Sequence, residues 1–505
     1  MARYTVCEAV KSFKDPVHGY VDLCRGPARV VDSWIVQRLR WIRQTGFAYL
    51  VYHGMEHSRF NHSLGAAHLA REVLGFVASN TRSYYGRVGD RIASLLLDAS
   101  EVFQLAALVH DVGHMPFSHS SEDALRDARL LYSPEGFDEL PREKEHEAYT
   151  ESLLPHVAEA AEEAGVTPVF MATVYEDLAL ILRGGERPGG SLSDCASSIL
   201  HQLIAKGLDV DRMDYLIRDS LYAGVRYGVF DVDRLVRVLL AVPMAREVRG
   251  HECTIAVLDK GVSAVEAFLL ARFYMFSEVY LHRVVEAYNS IYARLMALLA
   301  RDGIVCVMGH GSGRCRLEIP PPALLQRGEE EALEAWRRLD DPETMHLIRR
   351  VARGGLGAPP EAVKLAGMLV ERRHPRSYRI VDSHLVWSTL DSYIKDGVAP
   401  SEEAAGLLEE LVEMQRRNPL LIVRPLQVDI VSAGGIRVYN RASGRPERLE
   451  ETRATTARRL RGFAEHATEL GLYRVEVIGD REEEVAEAYR LLLQLEAVLR
   501  GEQRR

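Results

Sequence analysis

The residues with the clearest chemical potential are three histidines and an aspartate that lie within one ten-residue stretch: His110, Asp111, His114 and His119. An apolar helix that begins at Ser100 leads into this stretch, and Gly113 and Pro116 break it. Neighbouring residues on a helix do not face one another, so one metal ion can hold both His110 and Asp111 only where the helix ends. Imidazole and carboxylate together suit a divalent metal ion. The alternative is a polar, solvated helix end.

Two further side chains could complete such a site. His62 begins a helix directly after Arg59-Phe60-Asn61, and Asp211 lies in the segment LDVDRMDY. Alone, His62 would be a capping or core histidine and Asp211 a solvated surface residue. Together with His110 and Asp111 they give two imidazoles and two carboxylates, which leave about two octahedral positions for water or a substrate oxygen. This set predicts a divalent metal cofactor and would accept Fe, Mn, Ni, Zn or Mg.

The amino-acid composition limits the classes of protein to which the chain can belong. The 505 residues are 47% hydrophobic and 27% charged, values typical of a soluble globular protein. The net charge of −9 and the lack of a basic run with aromatic residues argue against nucleic-acid binding. Six scattered cysteines form no CxxC pair, so we expect neither a thiolate zinc site nor a disulfide framework. With no apolar leader or membrane-length run, the sequence predicts a cytoplasmic protein without a membrane partner.

The periodicity predicts a mostly α fold with short β-hairpins and a small C-terminal α+β unit. Three domains are expected: a catalytic helical core (1–300), a helical and hairpin extension (301–420) and the α+β unit (421–505). The long helices predicted in the core are 32–45, 195–222 and 264–300. A hairpin is expected at 303–319. In the last unit we expect strands 421–431 and 436–439 to pair, followed by helix 451–470, strand 472–478 and helix 481–500.

The order His62, His110-Asp111, Asp211 resembles the metal signature of the HD-domain phosphohydrolase superfamily. Within it, the chain resembles the deoxynucleoside triphosphate triphosphohydrolases of the SAM-and-HD-domain type. The resemblance runs from about residue 11 to 380, so the SAM module is not expected. The matching segments are FKDPVHGYVDL (13–23), VQRLRWIRQTG (36–46), SRFNHSLG (58–65), VHDVGHMPFSH (109–119), HE (146–147), LDVDRMDYLIRD (208–219) and Arg272 with YLHR (280–283).

The resemblance implies an HD helical core and an enzyme that attacks the α-phosphorus of a dNTP, releasing deoxynucleoside and tripolyphosphate. The metal ligands would be His62, His110, Asp111 and Asp211. His119 would protonate the 5′-oxygen, oriented by Glu122 where the family usually has Asp, and His114 and His146 would line the pocket. The triphosphate would be held by Arg59, Arg212, Tyr215 and Arg272, and the sugar by Gln44, Asp219 and Tyr280.

Two departures from the family pattern matter for specificity. Thr45 replaces an apolar residue beside the sugar, which leaves the exclusion of ribonucleotides open. Phe276 stands where some relatives have His near the active site. Neither residue belongs to the expected metal set.

The resemblance also implies regulation. Relatives assemble as tetramers when guanine nucleotides bind between subunits, so a dimer or tetramer activated by GTP or dGTP is expected. The corresponding residues are Asp32, Gln37, Arg40, Lys11 and Arg373. The alternative is that Asp32 caps a helix and Arg40 is a solvated helix residue.

Three other functions remain open at this point. An HD phosphohydrolase could act on a nucleoside monophosphate or a signalling nucleotide, although the expected triphosphate-binding residues argue for the larger substrate. A nuclease would need a basic groove, which the sequence does not show. A non-catalytic nucleotide sensor would have no use for the complete metal set.

Overall fold

The computed structural model describes residues 7–163, 174–184, 192–244, 253–311, 313–427, 435–451 and 473–502. Helices dominate these residues and the sheets are small, which confirms the mostly α fold. The helices up to residue 301 are α1 (Arg25–Val30), α2 (Trp34–Gln37), α3 (Arg59–Asp98), α4 (Ser100–Val109), α5 (His119–Leu131), α6 (Glu145–Glu163), α7 (Val174–Arg183), α8 (Asp194–Ala205), α9 (Val210–Ala223), α10 (Val232–Val236), α11 (Val262–Met275) and α12 (Arg283–Arg301).

The later helices are α13 (Pro322–Gln326), α14 (Glu330–Arg338), α15 (Asp341–Ala352), α16 (Pro360–Val370), α17 (His384–Asp396), α18 (Glu402–Arg417) and α19 (Glu482–Glu502). The strands are β1 (Ala9–Asp15), β2 (Gly19–Cys24), β3 (Leu239–Pro243), β4 (Cys253–Leu258), β5 (Val305–Val307), β6 (Leu317–Ile319), β7 (Ser377–Asp382), β8 (Ile422–Gln427), β9 (Arg437–Asn440), β10 (Arg445–Arg448) and β11 (Tyr473–Gly479). Within the described ranges these strands form four sheets, with strand orders β1-β2, β10-β9-β4-β3, β7-β11-β8 and β5-β6.

One large hydrophobic core holds the helical part together. Helix α12 crosses its centre, and nearly every side chain from Val285 to Ala300 is buried. A helix that is buried on all faces must be surrounded by other elements. Helix α5 packs against α12 and α4 packs against α3, so the segments that carry the expected site meet around this core.

A second, smaller core lies between the sheet β7-β11-β8 and helices α17, α18 and α19. Its apolar residues include Val386, Leu408, Val477 and Leu492, all fully buried. This is the α+β unit that the sequence predicts near the C-terminus. The three-domain division stays a prediction, and the buried residues of this core already begin at Val381.

Two strand pairings differ from the sequence prediction. The hairpin expected at 303–319 is a parallel pair, because the chain after β5 returns to the start of that strand, where Arg316 N donates to Ile304 O. The strands expected to pair at 421–431 and 436–439 belong to different sheets. Strand β8 pairs with β11, whereas β9 pairs with β10 and β4, and only long-range packing decides between such partners.

The long helices expected in the core are interrupted. The helix predicted over 195–222 divides into α8 and α9, and the side chain of Asp209 caps α9 by accepting from Arg212 N at 2.9 Å. The helix predicted over 264–300 divides into α11 and α12, separated by a π-helical turn at Phe276–Tyr280. The helix predicted over 32–45 shortens to α2 followed by a 3₁₀ turn, and Ser33 rather than Asp32 is its N-cap.

All six cysteines are paired, which overturns the expectation of no disulfide framework. The pairs are Cys7–Cys24, Cys195–Cys253 and Cys306–Cys315, with Cα–Cα distances of 5.8, 4.8 and 5.9 Å. These separations suit disulfides. The two cysteines of each pair are at least nine residues apart, so the lack of a CxxC spacing could not exclude them. The cysteine pattern therefore no longer favours a reducing compartment.

Some predictions fall outside the described residues: nearly all of helix 451–470 and the end of strand 421–431. Among the helices that are described, none alone is long and apolar enough to span a bilayer. One bent pair, α3 with α4 at 51°, passes that test of length and composition when the two are taken together.

Candidate active site

Three helix ends bring the four expected metal ligands together. Helix α4 ends at Val109, so His110 occupies its C-cap and Asp111 enters the turn that follows. His62 lies in the first turn of α3 and Asp211 in the first turn of α9. At the end of a helix, the side chains of two adjacent residues can point toward the same position. This is how His110 and Asp111 reach the same centre.

The ligand atoms of these residues lie close together. His62 Nε2 is 2.9 Å from Asp211 Oδ1 and 3.3 Å from His110 Nε2. Asp111 approaches from the other side, with Oδ1 3.3 Å from His110 Nε2 and Oδ2 3.7 Å from His62 Nε2. His62 is fully buried, whereas the Asp211 side chain is 30% exposed, so the centre is open on one side.

This donor set fits a divalent metal ion. Adjacent ligands at ~2.1 Å from an octahedral ion lie ~3 Å apart, close to the separations observed here. Burial opposes a positive charge on His62, but hydrogen bonds to Asp211 and Asp214 outweigh it and raise its pKa to about 10. The arrangement thus attracts positive charge, which a metal ion would satisfy in place of protons.

A buried ion network supports the candidate ligand His62 on the side away from the other ligands. Asp214 Oδ2 lies 2.8 Å from His62 Nδ1, and Asp214 Oδ1 lies 2.7 Å from His18 Nε2. Arg218 donates to both oxygens of Asp214 and also to Asp15, at distances from 2.8 to 3.2 Å. Such a carboxylate fixes the orientation of a metal-binding imidazole.

A second cluster of histidines lies beside the first. Glu122 Oε2 is 3.0 Å from His119 Nδ1, and Glu122 Oε1 is 2.7 Å from His146 Nδ1. The rings of His114 and His146 stack with centroids 4.2 Å apart. The His119 side chain is 63% exposed, so it can reach a ligand. These four residues also form a set that could hold a metal ion.

Opposed electrostatic effects set the charges in this second cluster. Burial raises the pKa of Glu122, but His119 and His146 outweigh it and hold that pKa well below the usual range. Burial, reinforced by Arg59 and His146, holds the pKa of His114 well below its usual value. Glu122 is therefore ionised and His114 neutral at pH 7.

The two clusters share one wall. His114 Nε2 lies 3.4 Å from Asp111 Oδ1, and Arg59 Nη1 lies 2.5 Å from Asp111 Oδ2. Arg59 is itself fixed by donating from Nε to Ser118 Oγ at 2.8 Å. The His114 imidazole thus stands next to the candidate metal centre and beside the fixed guanidinium of Arg59.

One cavity of about 740 Å³ contains most of the expected substrate residues. Its wall includes His110, Asp111, Asp211, His114, His119, His146, Arg59, Arg212, Tyr215, Gln44, Asp219 and Tyr280. Arg272 lies behind this wall, with its guanidinium carbon 5.4 Å from the centroid of the Phe276 ring. Phe276 itself lines the cavity. The expected phosphate and sugar residues are therefore brought together, with Arg272 one layer back.

The expected sugar residues form a small polar group. Tyr280 donates its hydroxyl to Asp219 Oδ2 at 2.7 Å, and His57 Nε2 lies 2.7 Å from Asp219 Oδ1. Gln44 Oε1 and Thr45 Oγ1 are buried and have no hydrogen-bond partner among the described residues. Because buried polar atoms are normally paired, these two oxygens indicate a ligand with hydroxyl or amino groups.

The expected regulatory residues make separate pairwise contacts. Lys11 Nζ lies 2.5 Å from Asp32 Oδ2, and Arg40 Nε donates to Gln37 Oε1 at 2.7 Å. Arg373 instead pairs with Glu371 at 2.6 Å. The first two pairs are exposed and lie at the start of the chain's helical part.

Several residues at the site were missed at the sequence level. Asp341 accepts from Phe117 N at 2.7 Å and from Arg43 N at 3.0 Å, which holds the loop after His114 in place. Burial raises the pKa of Asp341 to about 6. His57 and His18 were also missed as partners of the site. The spacing of Asp15 and His18 in DPVH could have signalled a role, whereas Asp341 offered no local pattern.

Comparisons with known proteins agree with this geometry. The HD domain family model matches residues 59–219, and the model for the HD associated region matches residues 230–307. An uncharacterised Bacillus subtilis protein, YwfO, is 32% identical over 57% of this chain and 55% of its own length. The deoxynucleoside triphosphate triphosphohydrolase SAMHD1 of Gallus gallus is 27% identical over 55% of this chain and 43% of its own length.

The fold comparison covers nearly the whole chain. The crystal structure of a phosphohydrolase from Bacteroides thetaiotaomicron superposes with a TM-score of 0.61 at 21% identity, covering 94% of this chain and all of the other. At this identity the likeness shows a shared fold. The chain spans about half the length of the curated relatives it matches.

Proposed function

Because the chain contains an HD domain and belongs to the HD hydrolase superfamily, we propose that it is a metal-dependent dNTP triphosphohydrolase. The reaction would hydrolyse a dNTP at the α-phosphorus and release deoxynucleoside and tripolyphosphate. The observation that carries this proposal is the 3.4 Å contact between Asp111 and His114, which joins the candidate metal centre to the histidine–glutamate cluster.

In the proposed site, His62, His110, Asp111 and Asp211 hold the metal ion. A divalent ion supplies nucleophile activation and charge stabilisation to phosphoester hydrolysis. Arg59 and Arg212 bind phosphate oxygens, for which a guanidinium offers fixed paired donors. Tyr215 adds a hydroxyl from the same wall of the cavity.

The proton needed by the leaving 5′-oxygen comes from His119 in this proposal. Its Nδ1 lies 3.0 Å from Glu122 Oε2, so the carboxylate orients the ring by accepting from Nδ1 and leaves Nε2, the nitrogen that would deliver the proton to the leaving oxygen, for the cavity. Gln44, Asp219 and Tyr280 then surround the sugar. The unpaired Gln44 Oε1 would accept from a sugar hydroxyl.

The test is product analysis of the purified, metal-loaded protein with each dNTP. We expect deoxynucleoside and tripolyphosphate. Release of pyrophosphate or phosphate would contradict cleavage of the bond between the α-phosphorus and the 5′-oxygen, and absence of turnover with all four dNTPs would favour a monophosphate or signalling nucleotide instead. Analysis in Mn²⁺, Mg²⁺, Fe²⁺, Ni²⁺ and Zn²⁺ identifies the active metal.

We also propose activation by GTP or dGTP in a homo-oligomer. The exposed pairs Lys11–Asp32 and Arg40–Gln37 support this, because they combine carboxylate and cationic groups that suit a guanine edge and phosphates. Turnover measured with and without guanine nucleotide, together with the mass in solution under both conditions, tests it. An Asp32→Ala variant activated as strongly as the unaltered protein would exclude this site.

A further inference from the structure

The C-terminal sheet contributes to the wall of the active-site cavity. Arg424, Pro425 and Leu426 on strand β8 line the same 740 Å³ cavity as the histidine clusters. Facing them are Glu286 and Asn289 on helix α12. The sheet is attached firmly at this point, since Arg474 on β11 donates to Leu281 O at 2.5 Å and Arg294 on α12 donates to Leu421 O at 2.9 Å.

Glu286 and Arg424 form a fixed polar edge in this part of the cavity. Arg424 Nη1 donates to Ser290 Oγ at 2.9 Å and lies 3.9 Å from Glu286 Oε2. Arg424 also forms an ion pair with Asp123, which in turn binds Arg126 at 3.2 Å. Glu286 Oε1 accepts from Asn289 Nδ2 at 2.9 Å. Both side chains are largely buried, so neither is free to swing into solvent.

The charges of this group cancel, unlike those of a phosphate site. Asp123 and Glu286 balance Arg126 and Arg424, so the group offers no net attraction for a polyphosphate. Beside it, Leu281, Val285, Pro425 and Leu426 give the cavity apolar walls. Apolar surfaces next to a fixed donor–acceptor edge suit a flat heterocycle with polar atoms on its rim.

The order of contacts along the cavity indicates where such a ring would lie. The metal-binding Asp111 contacts His114, His114 packs on His146, and both flank Glu122. Arg126 then links Glu122, at 3.9 Å, to Asp123, which binds Arg424. The histidine–glutamate cluster thus stands between the metal centre and the Glu286–Arg424 edge. If His119 protonates the leaving oxygen, the nucleoside lies on the Glu286–Arg424 side.

We propose that Glu286, positioned by Arg424, contacts the base of the nucleotide and favours bases with an exocyclic amino group over thymine. The inference rests on the proposed function. A buried carboxylate accepts from an amino group, whereas it repels the carbonyl oxygens that flank the single N–H of thymine. Arg424 serves as a positioning residue, because its cation holds Glu286 toward the cavity and keeps its charge compensated.

The experiment compares kcat/KM for dATP, dCTP, dGTP and dTTP in the unaltered protein and in Glu286→Gln. We expect the variant to raise the kcat/KM of dTTP relative to the other three by about tenfold, because the amide can donate as well as accept. Glu286→Asp withdraws the carboxylate by one methylene and should weaken the discrimination in the same direction. It serves as the second variant if Glu286→Gln folds poorly.

Arg424→Gln is expected to shift the base ratios in the same direction, since it releases Glu286. The matched controls are Arg379→Gln and Glu482→Gln, an exposed ion pair on the same C-terminal unit, which should leave the ratios unchanged. Base ratios within twofold of the unaltered protein in the Glu286 variants would overturn the inference. So would an equal shift in the controls.

A binding measurement separates this inference from the proposed function. Equilibrium dialysis of the metal-loaded protein with deoxyadenosine, deoxycytidine, deoxyguanosine and thymidine needs no turnover. We expect thymidine to bind about tenfold more weakly than the other three, and the difference to disappear in Glu286→Gln. Equal binding of all four by the unaltered protein would refute the base-reading role even if every dNTP is hydrolysed.

Discussion

At the scale of single residues, Asp214 is the side chain on which the candidate metal centre depends although it is not itself a ligand. It is fully buried, and its oxygens contact His62, His18 and Arg218 at 2.7 to 2.9 Å. Burial alone would raise its pKa, but Arg218 and the two histidines outweigh burial and hold the pKa well below the usual range. The permanent negative charge fixes the tautomer of His62 with its Nε2 directed at the other ligands.

Replacing Asp214 with Asn should therefore weaken metal binding without removing a ligand. We expect the affinity for the activating metal to fall about 10- to 100-fold, because an amide neither orients nor polarises the imidazole as a carboxylate does. Metal titration of the apo protein measures this. The control is Asp127→Asn, which loses a carboxylate paired with Arg294 away from the centre. Equal metal affinity in Asp214→Asn and the unaltered protein would contradict the supporting role.

His119 allows a separate test of the chemical step. Its side chain is mostly exposed and contacts Glu122, so its removal should leave the fold and the metal content intact. We expect His119→Ala to lower kcat about 10²- to 10⁴-fold with little change in KM, as loss of a general acid does. His156→Ala, at a largely buried histidine outside the cavity, is the control. A normal kcat in His119→Ala would remove it from the mechanism.

At the scale of elements, the site depends on how closely α3 and α9 approach. Gly65 lies one turn after His62 on the face of α3 that meets Asp214 and Arg218 of α9. A Cβ atom at Gly65 would overlap the Asp214 carboxylate and the Arg218 guanidinium. The glycine in SRFNHSLG is therefore required for close helix contact rather than for backbone flexibility.

Gly65→Ala should separate the two helices and disturb the centre. Overpacking of this kind costs about 1–3 kcal/mol of unfolding free energy, and we expect metal affinity to fall as Asp214 is displaced from His62. Thermal unfolding with and without metal measures both effects. Gly406→Ala on α18 has open space around its Cβ and is the matched control. Full metal affinity in Gly65→Ala would show that the contact is more tolerant than the geometry indicates.

The sheet β7-β11-β8 contains a buried acid, Glu476, whose titration should change the free energy of unfolding with pH. Burial raises the pKa of Glu476 to about 7, although the Arg474 cation and the Tyr378 hydroxyl oppose the shift. Because the pKa is higher in the folded state than in the unfolded chain, the folded state binds more protons between pH ~4.5 and 7. The contribution of Glu476 to stability is therefore fully present below pH ~4.5 and is lost as the pH rises through about 7.

Glu476→Gln removes this pH dependence. We expect the free energy of unfolding of the variant, compared with that of the unaltered protein at the same pH, to be higher at pH 8 than at pH 5 by on the order of 2 kcal/mol. Urea unfolding at both pH values is the measurement, and Glu413→Gln at an exposed position is the control. A difference that stays constant with pH would show that Glu476 titrates in the same range in the folded and unfolded states.

At the scale of the whole molecule, the three disulfides close loops of very different lengths. Cys195–Cys253 joins the first turn of α8 to the first residue of β4, across 58 residues, whereas Cys306–Cys315 closes a loop of only 9. In the chain-entropy description, the longer loop stabilises by about 4 kcal/mol and the shorter by about 3 kcal/mol. These covalent links add to a large core that is already well packed.

Reduction should therefore lower the stability of the protein. Thiol titration of the denatured, unreduced protein should find no free thiol, and all six cysteines should react after reduction. We expect the double variant Cys195→Ser/Cys253→Ser to lower the melting temperature more than Cys306→Ser/Cys315→Ser, in line with the loop lengths. Six free thiols before reduction would show that the isolated protein does not form these bonds.

The sequence alone determined the mostly α fold and the start of helix α4 at Ser100, and it identified the candidate site residues. These features are local: apolar spacing sets the helix, and Gly113 and Pro116 follow shortly after its C-cap His110. The resemblance to HD phosphohydrolases rested on ordered motifs of the same local kind. The sequence also predicted the C-terminal α+β unit, because period-two and period-3.6 patterns alternate there.

Only the tertiary structure decided which distant segments meet. Strand β8 pairs with β11 and not with β9, each cysteine finds a partner nine or more residues away, and β5 and β6 run parallel. Asp341 reaches the loop at Phe117 from more than 200 residues away, and Arg424 reaches the cavity from the C-terminal sheet. Such contacts depend on the packing of complete surfaces, which no short pattern encodes, and they complete the site that the local motifs begin.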